Sequence, residues 1–137
     1  MASNPLDKIR MAVKSDVDIV LCRQKGRDMA VQLGFTYLDG ALIATAISEL
    51  ARNIVRYAKV GEICISPVEA GGETGIEVIA RDNGPGIRNI ELAMQDGYST
   101  SGGLGLGLPG VRRLMDTFDI LSNGNDGTTV TTTKWRR

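Results

Sequence analysis

Three groups of residues have the types and spacing for chemistry. The first is the run Gly102-Gly103-Leu104-Gly105-Leu106-Gly107-Leu108-Pro109-Gly110, in which glycine alternates with leucine up to a proline. Alternate glycines let backbone N–H groups turn toward an anion without Cβ obstruction, and proline suits the first turn of a helix. Val111, Leu114 and Met115, with Arg112 and Arg113 between them, continue at helical spacing. A glycine loop feeding a helix N-terminus presents unpaired N–H groups and the positive end of a dipole, which is what a polyphosphate needs. This run reads as the phosphate cradle of a nucleotide site.

The second group is Glu49 and Asn53, four residues apart and so on one face of a helix. An amide oxygen such as that of Asn53 is a hard ligand suited to Mg²⁺, which keeps most of its waters and leans on phosphate oxygens. Glu49, one turn earlier, can take a proton from an attacking hydroxyl or water. Alone, such a pair is more often a solvated helix face. The third group is Asp82-Asn83-Gly84-Pro85-Gly86, where an acid ends an apolar strand under a tight turn. A carboxylate there can accept from the exocyclic amine of adenine, whereas guanine presents a carbonyl at that position. Alone, Asp-Asn-Gly is also an ordinary turn.

Other cradles fit less well. Gly105-Leu106-Gly107-Leu108-Pro109-Gly110 satisfies G-x-G-x-x-G, and Asp126 lies about twenty residues on, as a dinucleotide fingerprint asks. That motif should leave a hydrophobic strand directly, but Asp96-Gly97-Tyr98-Ser99-Thr100-Ser101 precedes it. The Gly-Lys-Ser/Thr of a P-loop is absent, as are the signatures of a eukaryotic-type kinase. A flexible linker would be Ser/Gly-rich and polar rather than leucine-rich.

The elements that must position these groups follow from periodicity. Residues 4–14 are ambiguous; Val17, Ile19 and Leu21 alternate as a half-buried strand. Residues 22–33 read as a helix weakened by Gly26 and stopped by Gly34. Thr36 and Asp39 resemble a capping box opening a long helix over 37–58. Its apolar stripe is Ile43, Ile47, Leu50, Ile54 and Tyr57; its polar stripe is Thr45, Glu49, Arg52, Asn53 and Arg56. Strands over 62–69 and 75–82 form a hairpin through 70–74, with Ile63, Ile65, Ile76, Val78 and Ala80 on a common face. A short amphipathic piece, 90–94, precedes the cradle. After the cradle helix come strands over 117–122 and 128–135. The expected fold is an α+β two-layer sandwich, a mostly antiparallel mixed sheet with its helices on one face.

With 137 residues and 42% hydrophobic side chains, the chain can build one ordinary core, so a single domain over 1–137 is expected. Sixteen acids balance sixteen bases, which leaves no electrostatic footprint for nucleic acid or an acidic membrane. No signal peptide or spanning segment is legible, and Cys22 and Cys64 lack C-x-x-C spacing, so reduced thiols in a cytoplasmic protein are expected. Histidine is absent. That excludes Ser-His-Asp hydrolases, His-ligated metal enzymes and a phosphohistidine relay.

Glu49-Leu50-Ala51-Arg52-Asn53, Asp82-Asn83-Gly84-Pro85-Gly86 and Gly103-Leu104-Gly105-Leu106-Gly107-Leu108 resemble the N, G1 and G2 boxes of the GHKL ATPase and kinase superfamily, in order. The superfamily includes gyrase, Hsp-type chaperones, sensor histidine kinases and mismatch-repair ATPases, and its domain is the Bergerat ATP-binding fold. A chain without histidine is no complete sensor kinase. Among free-standing members, the run from Gly105 to Asp116 is similar to the RsbT type of switch kinase rather than to the RsbW type or the sporulation anti-sigma factors.

The resemblance implies an ATP- and Mg²⁺-dependent serine/threonine kinase of stressosome partner switching. Its substrates would be STAS-domain proteins of the RsbS and RsbR type, and on release it would activate an RsbU-type phosphatase. The alternative it leaves is an RsbW-like anti-sigma factor that mainly sequesters a sigma subunit. Carried onto this sequence, the pattern makes Glu49 the general base, Asn53 the Mg²⁺ ligand and Asp82 the adenine acceptor. Gly84 and Gly86 make room for the base, and Ile87 joins the nucleotide contacts and opens an ATP lid over 87–101. The backbone of Leu104, Gly105, Leu106, Gly107 and Leu108 holds the phosphates. Thr128 matches a threonine near the adenine carboxylate, with Thr129 the choice if the turn shifts by one. Arg52 and Arg56 are candidates for transition-state charge.

Overall fold

Two apolar rows run across the sheet and a third turns polar at Asp82, Thr128 and Ser122, and this change of character places the site. The structure, a computed structural model, describes residues 7–84, 94, 107–122 and 127–137. Strands β1 (Ile9–Val13), β2 (Gly61–Ala70), β3 (Glu73–Asp82), β4 (Thr117–Ser122) and β5 (Thr128–Trp135) form a sheet in the order β1-β2-β3-β5-β4. Every described pairing is antiparallel, so the mixed character expected of the sheet is not found among the described residues.

The register lines up Met11, Ile63, Ala80, Val130 and Ile120 in one row and Ile9, Ile65, Val78, Thr132 and Phe118 in the next. Both rows belong to or pack against the core. Side chains alternate along a strand, so the same face continues into a third row of Val13, Gly61, Asp82, Thr128 and Ser122. The opposite face carries exposed Arg10, Ala12, Arg81, Asp119 and Leu121. On it Glu62 bridges Arg10 at 3.1 Å and Arg81 at 3.9 Å, a surface network of small energetic weight.

Helices α1 (Asp16–Gln32), α2 (Tyr37–Asn53) and α3 (Gly107–Leu114) supply the other half of the core. Residues 16–21 are helical, which overturns the strand expected for Val17, Ile19 and Leu21. Five residues of alternation also fit a helix period, and burial at Ile19, Cys22, Gly26, Met29 and Ala30 follows the helical one. Val17 is 67% exposed and Leu21 46%. The first strand is Ile9–Val13 instead, within the stretch that was ambiguous. Gly26 leaves the space that Ile47 of α2 fills, so the two helices pack closely. Beyond α1, the N–H groups of Leu33, Gly34 and Phe35 turn back to Met29, Val31 and Ala30, and Arg136 Nη1 donates to the Leu33 carbonyl at 2.8 Å.

Helix α2 starts as its sequence predicts, with Thr36 Oγ1 accepting from the Asp39 N–H at 3.1 Å. Ile43, Ile47, Leu50 and Ile54 are buried, each worth about 1.5–3 kcal/mol as an upper bound. The expected α-helix to residue 58 does not hold. From Ile54 to Ala58 the chain makes a π turn, closed by a Lys59 N–H to Ile54 carbonyl bond of 2.7 Å. Bonding across five residues widens the turn and retards the rotation of side chains about the axis. Tyr57 is thereby carried off the apolar stripe and is 53% exposed. The break falls at Lys59, with φ of 73°, and Gly61 begins β2 rather than ending the helix. The β2–β3 hairpin turns at Gly71-Gly72; β2 runs one residue past its expected bound at each end, and β3 begins two residues early and ends at Asp82 as expected.

Candidate functional site

The end of α2 receives the start of α3, and the π turn that follows α2 reaches the end of β3. Glu49 is 6% exposed although it belongs to the polar stripe of α2. Helix α3 packs across that part of the stripe, and a buried carboxylate then requires partners. It has them: Glu49 Oε1 accepts from Arg52 Nη1 at 2.6 Å, and Oε2 accepts from the Gly107 N–H at 3.2 Å. Residues 58 positions apart are joined in this way.

Gly107 is the first residue of α3 and has φ of 67°, a left-handed backbone that glycine adopts without Cβ strain. Leu108 and Val111 anchor the helix in the core, and Pro109 lies in its first turn, where its missing N–H costs nothing. The N–H that the glycine run offers to an anion therefore already holds a carboxylate oxygen. The donor chemistry suits a phosphate oxygen at the same place.

Asn53 closes α2 one turn after Glu49 and is half-buried. The π turn that follows brings Ile54 against Gly61, whose partner across the strands is Asp82. It also brings Ala58 against Gly84, where a Cβ would lie 2.7 Å from the Ala58 Cβ. Glycine at 84 lets the turn after β3 close down on the end of the π turn. Asp82 Oδ1 accepts from the Gly84 N–H at 2.9 Å, which fixes the orientation of the carboxylate.

Thr128 stands directly opposite Asp82, and Thr129 opposite Arg81. Register thus puts Thr128, not Thr129, on the Asp82 side of the sheet. The Thr128 and Ser122 hydroxyls lie 3.3 Å apart in the same row. Gly127, with φ of 89°, takes the chain past the Asp82 backbone so closely that a Cβ would collide with it.

The structure joins Glu49 to Gly107, and Asp82 to Gly84 and Thr128, while the π turn that follows Asn53 links the two groups by setting Ile54 against Gly61 and Ala58 against Gly84. Gly86, Ile87, Leu104, Gly105 and Leu106, with the expected lid over 87–101, lie outside the described residues. Sequence reasoning missed the partnership of Arg52 with Glu49, whose spacing of three residues was a visible signal. It missed the π turn and the role of Gly127, for which no local pattern exists.

Among the described residues no three His, Cys, Asp or Glu side chains cluster as a metal site, and no helix is long and apolar enough to cross a membrane. The amide oxygen of Asn53 is a donor that Mg²⁺ accepts together with phosphate oxygens and water.

Residues 38–136 match the family of histidine kinase-, DNA gyrase B-, and HSP90-like ATPases. The chain is 51% identical to the serine/threonine-protein kinase RsbT of Bacillus subtilis (strain 168) over 131 residues, covering 96% of this chain and 98% of that protein. It is 36% identical to the anti-sigma F factor of Thermoanaerobacter sp. (strain X514) over 112 residues, 77% of each chain. To the serine-protein kinase RsbW of Bacillus thuringiensis (strain Al Hakam) it is 33% identical over 140 residues, covering 94% of this chain and 85% of that one.

Proposed function

The chain belongs to the histidine kinase-, DNA gyrase B-, and HSP90-like ATPase family, and from that premise we propose that it is an ATP-dependent protein kinase that phosphorylates serine or threonine on a STAS-domain partner. On release from that partner it activates an RsbU-type phosphatase in stress signalling. The observation that carries the reading is the hydrogen bond from the Gly107 N–H to Glu49, which sets a carboxylate at the mouth of a helix N-terminus. The substrate class rests on likeness over nearly the whole of both chains to a serine/threonine-protein kinase.

In this reading Asp82 and Thr128 receive the adenine, and the N–H groups from 104 to 108 hold the phosphates. Asn53 would hold Mg²⁺, which when bound neutralises charge on the phosphates. The partner hydroxyl attacks the terminal phosphorus, the bond to the bridging oxygen of ADP breaks, and Glu49 takes the hydroxyl proton. Little else is asked of the protein, since phosphoryl transfer depends on positioning and charge stabilisation.

The test mixes the purified chain with radiolabelled ATP and either a STAS-domain protein or a sigma factor. Label on the STAS protein, lost in Glu49→Gln while ATP still binds, is the expected result. Transfer by Glu49→Gln at the wild-type rate would remove the base assignment. A stable sigma complex without label on the STAS protein would replace the kinase reading by an anti-sigma one.

A further inference from the structure

Both oxygens of Glu49 are engaged, and one of the donors is claimed twice. Oε1 is bound to Arg52, one turn further along the same helix, and Oε2 to the Gly107 N–H. If that N–H belongs to the phosphate cradle, as the nucleotide reading above has it, a phosphate oxygen and Glu49 Oε2 must compete for it. One N–H cannot serve two anions at full strength, and two anionic oxygens gathered on one donor repel each other. The Arg52 contact lies wholly within α2, so it survives the loss of the other.

We propose that the Gly107 N–H latches Glu49, with Arg52 as the positioning residue, and that phosphate arriving at that N–H frees Oε2 for the acceptor hydroxyl. Glu49 then becomes available as a base only when there is a phosphate to transfer. The tether to Arg52 keeps the freed carboxylate within the site, because a buried charge that lost both partners would be driven elsewhere. The latch also makes phosphate binding work against a pre-existing contact, which lowers the apparent affinity for any ligand that needs the same donor.

Glu49→Asp separates this from simple charge repulsion. Aspartate keeps the negative charge but is one methylene shorter and falls short of Gly107. A non-hydrolysable ATP analogue is titrated calorimetrically into the full wild-type chain and into Glu49→Asp, with adenosine as the ligand lacking phosphate. The expected result is that the variant binds the analogue about threefold or more tightly, while adenosine affinity does not change. In nitrogen-labelled wild-type protein the Gly107 amide resonance should shift with the analogue and stay in place with adenosine.

Equal analogue affinity in wild type and variant, or an unmoved Gly107 amide, overturns the latch. For the positioning role, Arg52→Gln should lower kcat for transfer to a STAS-domain substrate about tenfold while KM for ATP stays within about threefold, and Arg52→Lys should recover part of the loss. An unchanged kcat in Arg52→Gln overturns that role. Wild-type protein that binds neither adenosine nor the analogue sinks the nucleotide reading and the latch with it. Wild type that binds both, with a variant that gains nothing, removes the latch alone.

Discussion

Asp82, the last residue of β3, and Thr128, the first of β5, are direct partners across the sheet, in a row of the helix-facing side that is polar from β3 to β4. A carboxylate accepts and a hydroxyl both donates and accepts, so the pair can address an amine and a ring nitrogen together. Asp82→Asn is expected to weaken ATP and ADP binding about 10- to 100-fold, the scale of a hydrogen bond to a charged group. Thr128→Val should weaken it by less, about threefold to tenfold. Thr129→Val, on the other face opposite Arg81, should leave it unchanged. Calorimetric titration of ADP with Mg²⁺ into the three variants checks the order, and loss of binding in Thr129→Val would mean that the register assignment is wrong.

Gly127 holds the two strands in that register. At Gly127→Ala the new Cβ meets the Asp82 carbonyl and lies 2.9 Å from the Asn83 Cα, at a φ of 89°. Gly71 also has positive φ, 58°, but nothing lies within 4 Å of a Cβ there. Gly71→Ala should therefore lose only the conformational term, about 1 kcal/mol, and Gly127→Ala about 2–4 kcal/mol. Urea midpoints of the two variants measure the difference, and equal losses would show that the close approach at Asp82 does not matter.

How far the sequence foretold this differs from element to element. Helix α2 was legible because a cap and an apolar stripe agree: Thr36 bonds Asp39, and Ile43, Ile47 and Leu50 are buried. The β2–β3 hairpin was legible because Ile63, Ile65, Ile76, Val78 and Ala80 alternate and glycines mark the turn. Residues 17–21 were misread because their alternation is too short to choose between two periods. The π turn could not be read, since its i→i+5 bonding leaves the side-chain pattern ordinary until Tyr57 fails to bury. Glu49 and Asp82 stand out in the sequence as an acid on a helix face and an acid at a strand end, but what surrounds them comes from long-range packing. Nothing near Glu49 in sequence announces that Gly107 will cover it, and only the pairing of β3 with β5 decides between Thr128 and Thr129.

The cap of α2 also sets the position of Glu49 and Asn53, which ride on the far end of the same helix. Thr36→Ala removes the acceptor for the Asp39 N–H and should cost about 1 kcal/mol, whereas Thr36→Ser or Thr36→Asp should keep most of it. Thermal unfolding of the three variants tests this. A full loss in Thr36→Ser would point to the threonine methyl rather than to the hydrogen bond.

Cys22 links stability to alkaline pH. Its side chain faces the core from α1, and burial pushes the thiol up to about 11 from an ordinary value of 9.0, with Asp18 adding in the same direction. Between those values the folded chain keeps the proton while the unfolded chain has lost it. The folded state then binds more protons, so stability must fall as pH rises through this window, and the contribution is fully present below about pH 9. Two pH units correspond to about 2–3 kcal/mol at most. Lysines and tyrosines titrate in the same range, so the informative quantity is the difference between wild type and Cys22→Ala. The variant should be less stable near neutral pH by about 1 kcal/mol, because a small cavity replaces the sulfur. Its urea midpoint should nevertheless fall less than that of wild type between about pH 8 and about pH 10.5. Parallel pH profiles for the two proteins would mean that Cys22 does not titrate in that window.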